Sequence, residues 1–335
     1  MSGTPTNDNA AHDKPGDPIR IGLLRLSDAA PVILAEAEGL FTAQGIDVML
    51  SVEPSWANIA DKLGYGLLEA AVMLPPLAIA CALGLRGRRT DLVVPMGLSL
   101  GGNAVTLAHS WRAAIPDAPH DAYIIGKSFK AAMAGRASKP VLAVVHGFST
   151  HDLLLRHWLA AHGIDPTKDV TFTVLPPAEM LGSLAAGSID GFCAGAPWGG
   201  VAAQSGLGFV ALHSAAIRPY HAEKCLAVRA DWVGANPRRM AALHAALHQA
   251  ATLCAAPAQR GTLAALLAEP AYLNLPAAII EASLDPAAGG PEFTPPRATT
   301  ANPDDARWFA DELARWGHAP AGLAEHAARL YQPLK

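Results

Sequence analysis

From residue 18 to about residue 200 the chain alternates short apolar runs with helical segments, and glycine or proline marks nearly every junction. Residues 18–26 carry the run Ile-Arg-Ile-Gly-Leu-Leu-Arg-Leu and read as a buried strand. Ser27-Asp28 then offers an N-cap, residues 30–38 read as a helix with Pro31 in its first turn, and Gly39 stops it. After a turn over 41–44, closed by Gly45, strands are predicted at 46–52, 69–73, 93–98, 104–108, 141–145, 170–174 and 191–194. Helices are predicted at 56–65, 77–83, 127–134, 152–162 and 176–186. The helix over 152–162 shows a clear apolar stripe of Leu154, Leu155, Trp158 and Leu159. Repeated strand–helix alternation predicts an α/β chain with a parallel sheet covered by helices on both faces. Helices dominate beyond residue 231, residues 285–304 form a Pro- and Gly-rich excursion, and a last helical segment runs over 305–317.

A chain of 335 residues is comfortable for two lobes. The expected division is a disordered tail over residues 1–17, a first lobe from residues 18–108 plus 201–335, and a second lobe from 109–200. The formal net charge is −4 and no basic block exceeds a few residues, which argues against direct contact with nucleic acid. No apolar run reaches the ~18–20 residues of a membrane span, so no membrane insertion is expected. The opening residues are polar and show no basic stretch, apolar core or small-residue cleavage site, which predicts a cytoplasmic protein. Cys81, Cys193, Cys225 and Cys254 are scattered, form no C-x-x-C pair, and read as small buried hydrophobes in a reducing compartment. The chain has no H-E-x-x-H, no EF-hand loop, no phosphate-binding G-x-x-x-x-G-K-[ST] and no G-x-S-x-G. Neither metal nor cofactor is expected, and no nucleophile, base and orienting group come together, so the chain reads as a binding protein rather than an enzyme.

The stretch Glu53-Pro54-Ser55-Trp56-Ala57-Asn58 places an indole in the turn between a strand and a helix. An aromatic face beside the free N–H groups of a helix start suits a small planar anion. The same tryptophan would also serve as a core residue packing that helix start.

The residues now point to a family. Ile21-Gly22-Leu23, Ala30-Pro31, Ala35 to Phe41 and Gly45-Ile46-Asp47-Val48 resemble the opening of a type II periplasmic-binding-protein fold, with its ligand in the cleft between two lobes. Glu53 to Ile59, Asn103-Ala104-Val105-Thr106, Thr150-His151-Asp152-Leu153, Ala196-Pro197-Trp198 and Glu223-Lys224 narrow the likeness. They resemble the nitrate- and bicarbonate-binding proteins of cyanobacterial-type ABC importers, in the family's order, from Pro18 to about Gly317. Importer members carry an export signal. The chain therefore most resembles their cytosolic relative, the nitrate/nitrite sensor of the assimilatory nitrate reductase antitermination system. That resemblance implies a protein that holds an RNA-binding antiterminator and releases it when nitrate or nitrite binds. The alternative is the substrate-binding component of a nitrate or related small-anion importer. Pyrimidine synthases of thiamine biosynthesis share the fold, but the cysteine-rich, iron-linked segment of such enzymes is not found here.

The resemblance also implies a ligand set. Trp56 matches the position that stacks on the anion. Lys224 matches the position whose ammonium faces nitrate, which favours nitrate or nitrite over bicarbonate, unless it is simply a solvated lysine. His151 is placed to donate from a helix start, with Thr150 or Ser149 as the N-cap. Asn103 offers an amide from a Gly-Gly-Asn turn, or only forms that turn. Ser55, Gly102, Thr150, Pro197 and Trp198 are expected around these, with Pro197-Trp198 more suited to hinge packing than to contact. Trp56 and Lys224 are expected from the first lobe and His151 from the second.

Overall fold

The structure, a computed structural model, describes residues 17–333. The tail expected over residues 1–17 therefore lies, but for Asp17, outside the described residues. Among the described residues eleven strands form two sheets. They are β1 (Ile19–Leu23), β2 (Val48–Val52), β3 (Ala70–Met73), β4 (Leu92–Gly101), β5 (Asn103–Ala108), β6 (Val141–Val144), β7 (Thr171–Val174), β8 (Gly191–Gly195), β9 (Gly208–His213), β10 (Ala222–Arg229) and β11 (Pro291–Glu292). The first sheet has the order β11-β4-β10-β3-β1-β2 and the second β7-β6-β8-β5-β9.

The expected two-lobe α/β architecture is present, but the sheets are mixed rather than parallel. β2, β1 and β3 pair in parallel, as do β7, β6 and β8. β10 runs antiparallel to both β3 and β4, and β5 runs antiparallel to both β8 and β9. The parallel strands are those joined by helical crossovers within a lobe, which is the connection a parallel pair needs. The antiparallel strands flank the places where the chain passes from one lobe to the other.

Those passages also move the lobe boundary. β5 and β9 pair with β8 or with each other in the second sheet, so residues 103–108 and 208–213, expected in the first lobe, lie with the second. The outward passage is Gly101-Gly102, with φ of +62° and +84°. Left-handed backbone favours glycine, and a Cβ on Gly102 would also sit 3.0 Å from Pro291. The return runs through the short helix Ser214–Ile217 to β10.

The first lobe packs Ile19, Ile21 and Leu23 of β1 against Ile33 of the helix Ala30–Ala37 and against Leu243 and Leu247 of the helix Pro237–Ala255, all fully buried. Each such aliphatic side chain contributes about 1.5–3 kcal/mol when taken out of water. The second lobe has its own core around Trp111, Phe129 and Trp158. A third cluster joins the two, with Trp56, Met73 and Leu77 of the first lobe in one apolar group with Leu153 and Phe192 of the second. The lobes are thus in contact across part of the cleft. Cys81, Cys193 and Cys225 are buried free thiols, whereas Cys254 is only half-buried. Among the described residues no helix is long and apolar enough to cross a membrane.

Candidate functional site

The register of β10 against β4 slips at three places, the first of them between Ala222 and Lys224. Ala222 faces Leu100 and Lys224 faces Ser99, so Glu223 is an extra residue with no opposite number. Neighbouring residues of a regular strand point to opposite faces, and a bulge re-aims them. Here it lets Glu223 and Lys224 meet, with Lys224 Nζ donating to Glu223 Oε1 at 2.8 Å. On its other side the ammonium lies 2.7 Å from Asp28 Oδ2. The ammonium also sits 5.4 Å from the centre of the Trp56 ring, a cation–π contact. Glu223 and Lys224 are 0% exposed and Asp28 is 3% exposed.

The second lobe closes on the same carboxylate. Asn103 Nδ2 donates to Glu223 Oε2 at 2.5 Å. His151 Nε2 approaches Glu223 Oε1 to 3.5 Å without a hydrogen bond. His221, just before β10, places Nδ1 3.8 Å from Glu223 Oε2 and holds Ser214 Oγ at 2.9 Å through Nε2.

Local sequence explains the placements. Ser55 Oγ accepts from Asn58 N and caps the helix Trp56–Gly64, which fixes Trp56 as its first residue. Ser149 Oγ caps the helix Thr150–Ala161 by accepting from Asp152 N at 3.0 Å. Ser149 rather than Thr150 is thus the cap, which leaves Thr150 and His151 buried in the first turn, where the helix N-terminus is electropositive. Gly195, at the end of β8, lets the backbone come close, and a Cβ there would lie 3.2 Å from Asp28 Oδ2 and 3.5 Å from Asn103 Oδ1.

Several buried polar atoms here have no partner. They are Trp56 Nε1, Thr150 Oγ1, both ring nitrogens of His151, Asn103 Oδ1 and Asp28 Oδ1. Folded proteins satisfy the great majority of such atoms. Five side chains of one interlobe site contribute these atoms, which a small polar guest, either a ligand or ordered water, would satisfy.

The electrostatics follow from burial. Burial works against the Lys224 charge, but Asp28 and Glu223 outweigh it and hold its pKa above the ordinary lysine value. Burial raises the Asp28 carboxyl, only partly offset by Lys224. Burial likewise pushes Glu223 up to about 7 against the pull of Lys224, with the charge of Asp28 adding to the rise. Burial, then Lys224 and His221, hold His151 neutral, its pKa well below the usual imidazole range.

Trp56, Asn103, His151 and Lys224, singled out from the sequence, thus meet in one place. Lys224 is neither a solvated lysine nor a free counter-charge for an anion, because two carboxylates already match it. Asn103 opens a strand instead of forming a turn. Ser55 serves as a cap and Gly102 as the lobe passage. Pro197 precedes the helix Trp198–Gln204 and lines a small apolar cavity of about 290 Å³ behind the hinge. Trp198 lines a separate cleft of about 760 Å³ with Leu24, Ser55 and Pro177. Sequence reasoning missed Asp28, Glu223 and His221 as site residues. Asp28 was expected to cap a helix, but the helix Ala30–Ala37 has no side-chain cap and the carboxylate goes to Lys224. Glu223 was quoted only as part of a motif, and an acid beside a lysine in an otherwise apolar strand was the available signal.

Comparison with known proteins gives the family and the fold. Residues 12–268 match the NMT1-like family. Over 310 residues the chain is 34% identical to the bicarbonate transport ATP-binding protein CmpC of Synechococcus elongatus, a match covering 90% of this chain and 46% of CmpC. The chain thus spans about half the length of that relative. It is 31% identical over 327 residues to the nitrate/nitrite binding protein NrtA of Synechococcus elongatus, covering 90% of this chain and 72% of NrtA. Its fold superposes on the crystal structure of the periplasmic nitrate-binding protein NrtA from Synechocystis PCC 6803 with a TM-score of 0.85 and 26% identity, covering 94% of this chain and 85% of that one. By sequence and by its two-lobe α/β periplasmic-binding-protein fold, the chain belongs to the NMT1-like family, among homologues of nitrate- and bicarbonate-transport proteins.

Proposed function

We propose that the cleft binds a small planar oxyanion of the nitrate, nitrite or bicarbonate class, and that the protein is the substrate-binding component of an ABC-type importer. One observation carries the binding reading. Side chains from both lobes converge on a sealed site where indole, hydroxyl and imidazole groups are buried without partners. A trigonal oxyanion is flat enough for the Trp56 face and accepts in-plane hydrogen bonds from several donors. It is also small enough to lie between closed lobes.

The importer role is supported by the relatives, which are named as transport and binding components. The sensor role expected from the sequence, with an RNA-binding antiterminator as partner, draws no support from them. The preference for nitrate over bicarbonate that a free lysine would give also loses its basis, because the Lys224 charge is already spent on Asp28 and Glu223.

Titration calorimetry of the purified protein with nitrate, nitrite and bicarbonate tests this, with chloride and sulfate as controls. Saturable one-site binding of at least one of the three, and of neither control, is expected. Absence of heat with all three at millimolar concentration would remove the reading. Gel filtration with a cognate permease–ATPase complex, set against an RNA-binding antiterminator, then separates the two roles.

A further inference from the structure

We propose that the site takes up its anion together with one proton, which lodges on the Glu223–Asp28 carboxylate pair and serves as a co-ligand. The inference deepens the oxyanion reading and rests on it. Its basis is a charge count over groups the structure brings together. One ammonium, Lys224, lies 2.7 Å from Asp28 and 2.8 Å from Glu223. With both carboxylates ionised the cluster already carries one excess negative charge before any ligand arrives.

Among the described residues no other cation is paired with either carboxylate. The groups facing Glu223 are Lys224 on its own strand, Asp28 from the turn after β1, His151 from the second-lobe helix and His221 from the return passage. The thiols of Cys193 and Cys225 also lie near enough to feel its charge. Both thiols are pushed up by burial and stay neutral, and both imidazoles are held neutral as well. A monoanion entering this buried site would leave three negative charges around one positive charge. Charges out of water are tolerated only when paired, so the pair must shed one charge. Protonation of one carboxyl does so, and the new O–H can donate to an anion that only accepts.

Glu223 can hold the proton near neutral pH, since burial pushes its carboxyl up to about 7. Asp28 supplies the other half of the device. Its Oδ1 is buried without a partner and is the second place in the pair where the proton can rest. Linkage then gives the sign. Below pH 7 Glu223 already holds the proton and anion affinity is flat. Above pH 7 each anion brings a proton with it, and affinity falls about tenfold per pH unit.

The test is calorimetry with nitrate and nitrite at pH 6, 7.5 and 8.5, each in two buffers of different ionisation heat. The buffer dependence of the heat reads proton uptake directly on the unaltered protein. Uptake approaching one proton per anion at pH 8.5, and near zero at pH 6, is expected. Glu223→Gln, which fixes a neutral hydrogen-bonding group in place, should abolish both the uptake and the loss of affinity at high pH. Binding of nitrate or nitrite without proton exchange at pH 8.5, or binding of bicarbonate alone, overturns this inference and leaves the oxyanion reading standing. Failure of all three anions to bind removes both.

Discussion

Replacing Lys224 by methionine isolates what the buried ammonium contributes. The two side chains are similar in length and volume, so packing changes little. What changes is that Asp28 and Glu223, both buried, face each other without the cation that lay 2.7 and 2.8 Å from them. Removing one member of a buried ion cluster costs about 3–5 kcal/mol, against a total stability of roughly 5–15 kcal/mol for a folded domain. The loss must depend on pH. Without Lys224 both carboxyls sit above their unfolded pKa, so the folded state holds protons that the unfolded state releases. Stability of the variant therefore rises as pH falls, and it is lost as pH climbs through the raised folded pKa values. Guanidinium unfolding of wild type and Lys224→Met at pH 7.5 and 5.5 reads both effects. The expected outcome is a loss of about 3–5 kcal/mol at pH 7.5 that shrinks by a large fraction at pH 5.5. Adding Asp28→Asn and Glu223→Gln should recover most of it. A loss below about 1 kcal/mol, the value of an exposed pair, or a loss independent of pH, would show that these three groups are not sealed from water together.

Three further outcomes are expected. Trp56→Phe keeps an aromatic face but removes the unpartnered indole N–H; if Nε1 donates to the anion, affinity should drop by about 1 kcal/mol, roughly fivefold, and unchanged calorimetric affinity would exclude that donor. Gly102→Ala places a side chain at φ +84° and 3.0 Å from Pro291, so it should cost at least about 1–2 kcal/mol in denaturant unfolding, and a neutral effect would show that the lobe passage relaxes freely. His221 is fully buried and burial holds it at about 4, below its ordinary 6.5; its folded pKa is depressed, so its contribution is lost as pH falls from 6.5 towards 4, on the order of 3 kcal/mol at the bottom of that range. His221→Gln, which keeps a partner for Ser214, should flatten the acid limb of an unfolding-versus-pH series, and an unaltered limb would assign acid sensitivity elsewhere.

The parts of this molecule that were legible in its sequence are those governed by local rules. β1, β2 and β3 announce themselves as apolar runs closed by glycine or proline. Trp56 and His151 follow Pro-Ser and Ser-Thr at helix starts, where the first turn is fixed by the cap. β9 and β10 were not legible. β10 begins Ala-Glu-Lys-Cys, and two adjacent charges in a strand normally mean water on one face. Both are buried only because a bulge turns them together and because Asp28, from the far end of the chain, completes the cluster. Nothing local encodes either fact. The lobe boundary was misplaced for a related reason. Strand content alone does not say which sheet a strand joins, and β5 and β9 pair across the segments that link the lobes.

The unpartnered donors also decide how a ligand could hold the lobes shut. Asn103 and Glu223 already tie the second lobe to the first at 2.5 Å, and Ser27 N donates to Ala196 O at 3.0 Å beside them. His318 and Asp152 form another link at 3.0 Å. An anion that took the Asn103 amide for itself would break one tie to make another and would gain little preference for the closed form. A ligand shifts the lobe equilibrium only by its differential affinity for closed over open. The gain must therefore come from groups that closure buries and leaves idle, which are Trp56 Nε1 on one lobe and Thr150 Oγ1 and the His151 ring on the other. Two or three net hydrogen bonds to such atoms, at about 0.5–1.5 kcal/mol each, amount to a shift of roughly five- to two-thousandfold towards closure. Small-angle scattering with and without nitrate, on wild type and on Thr150→Val, measures that shift. Equal compaction of the two proteins would mean that the anion closes the lobes through Asn103 after all.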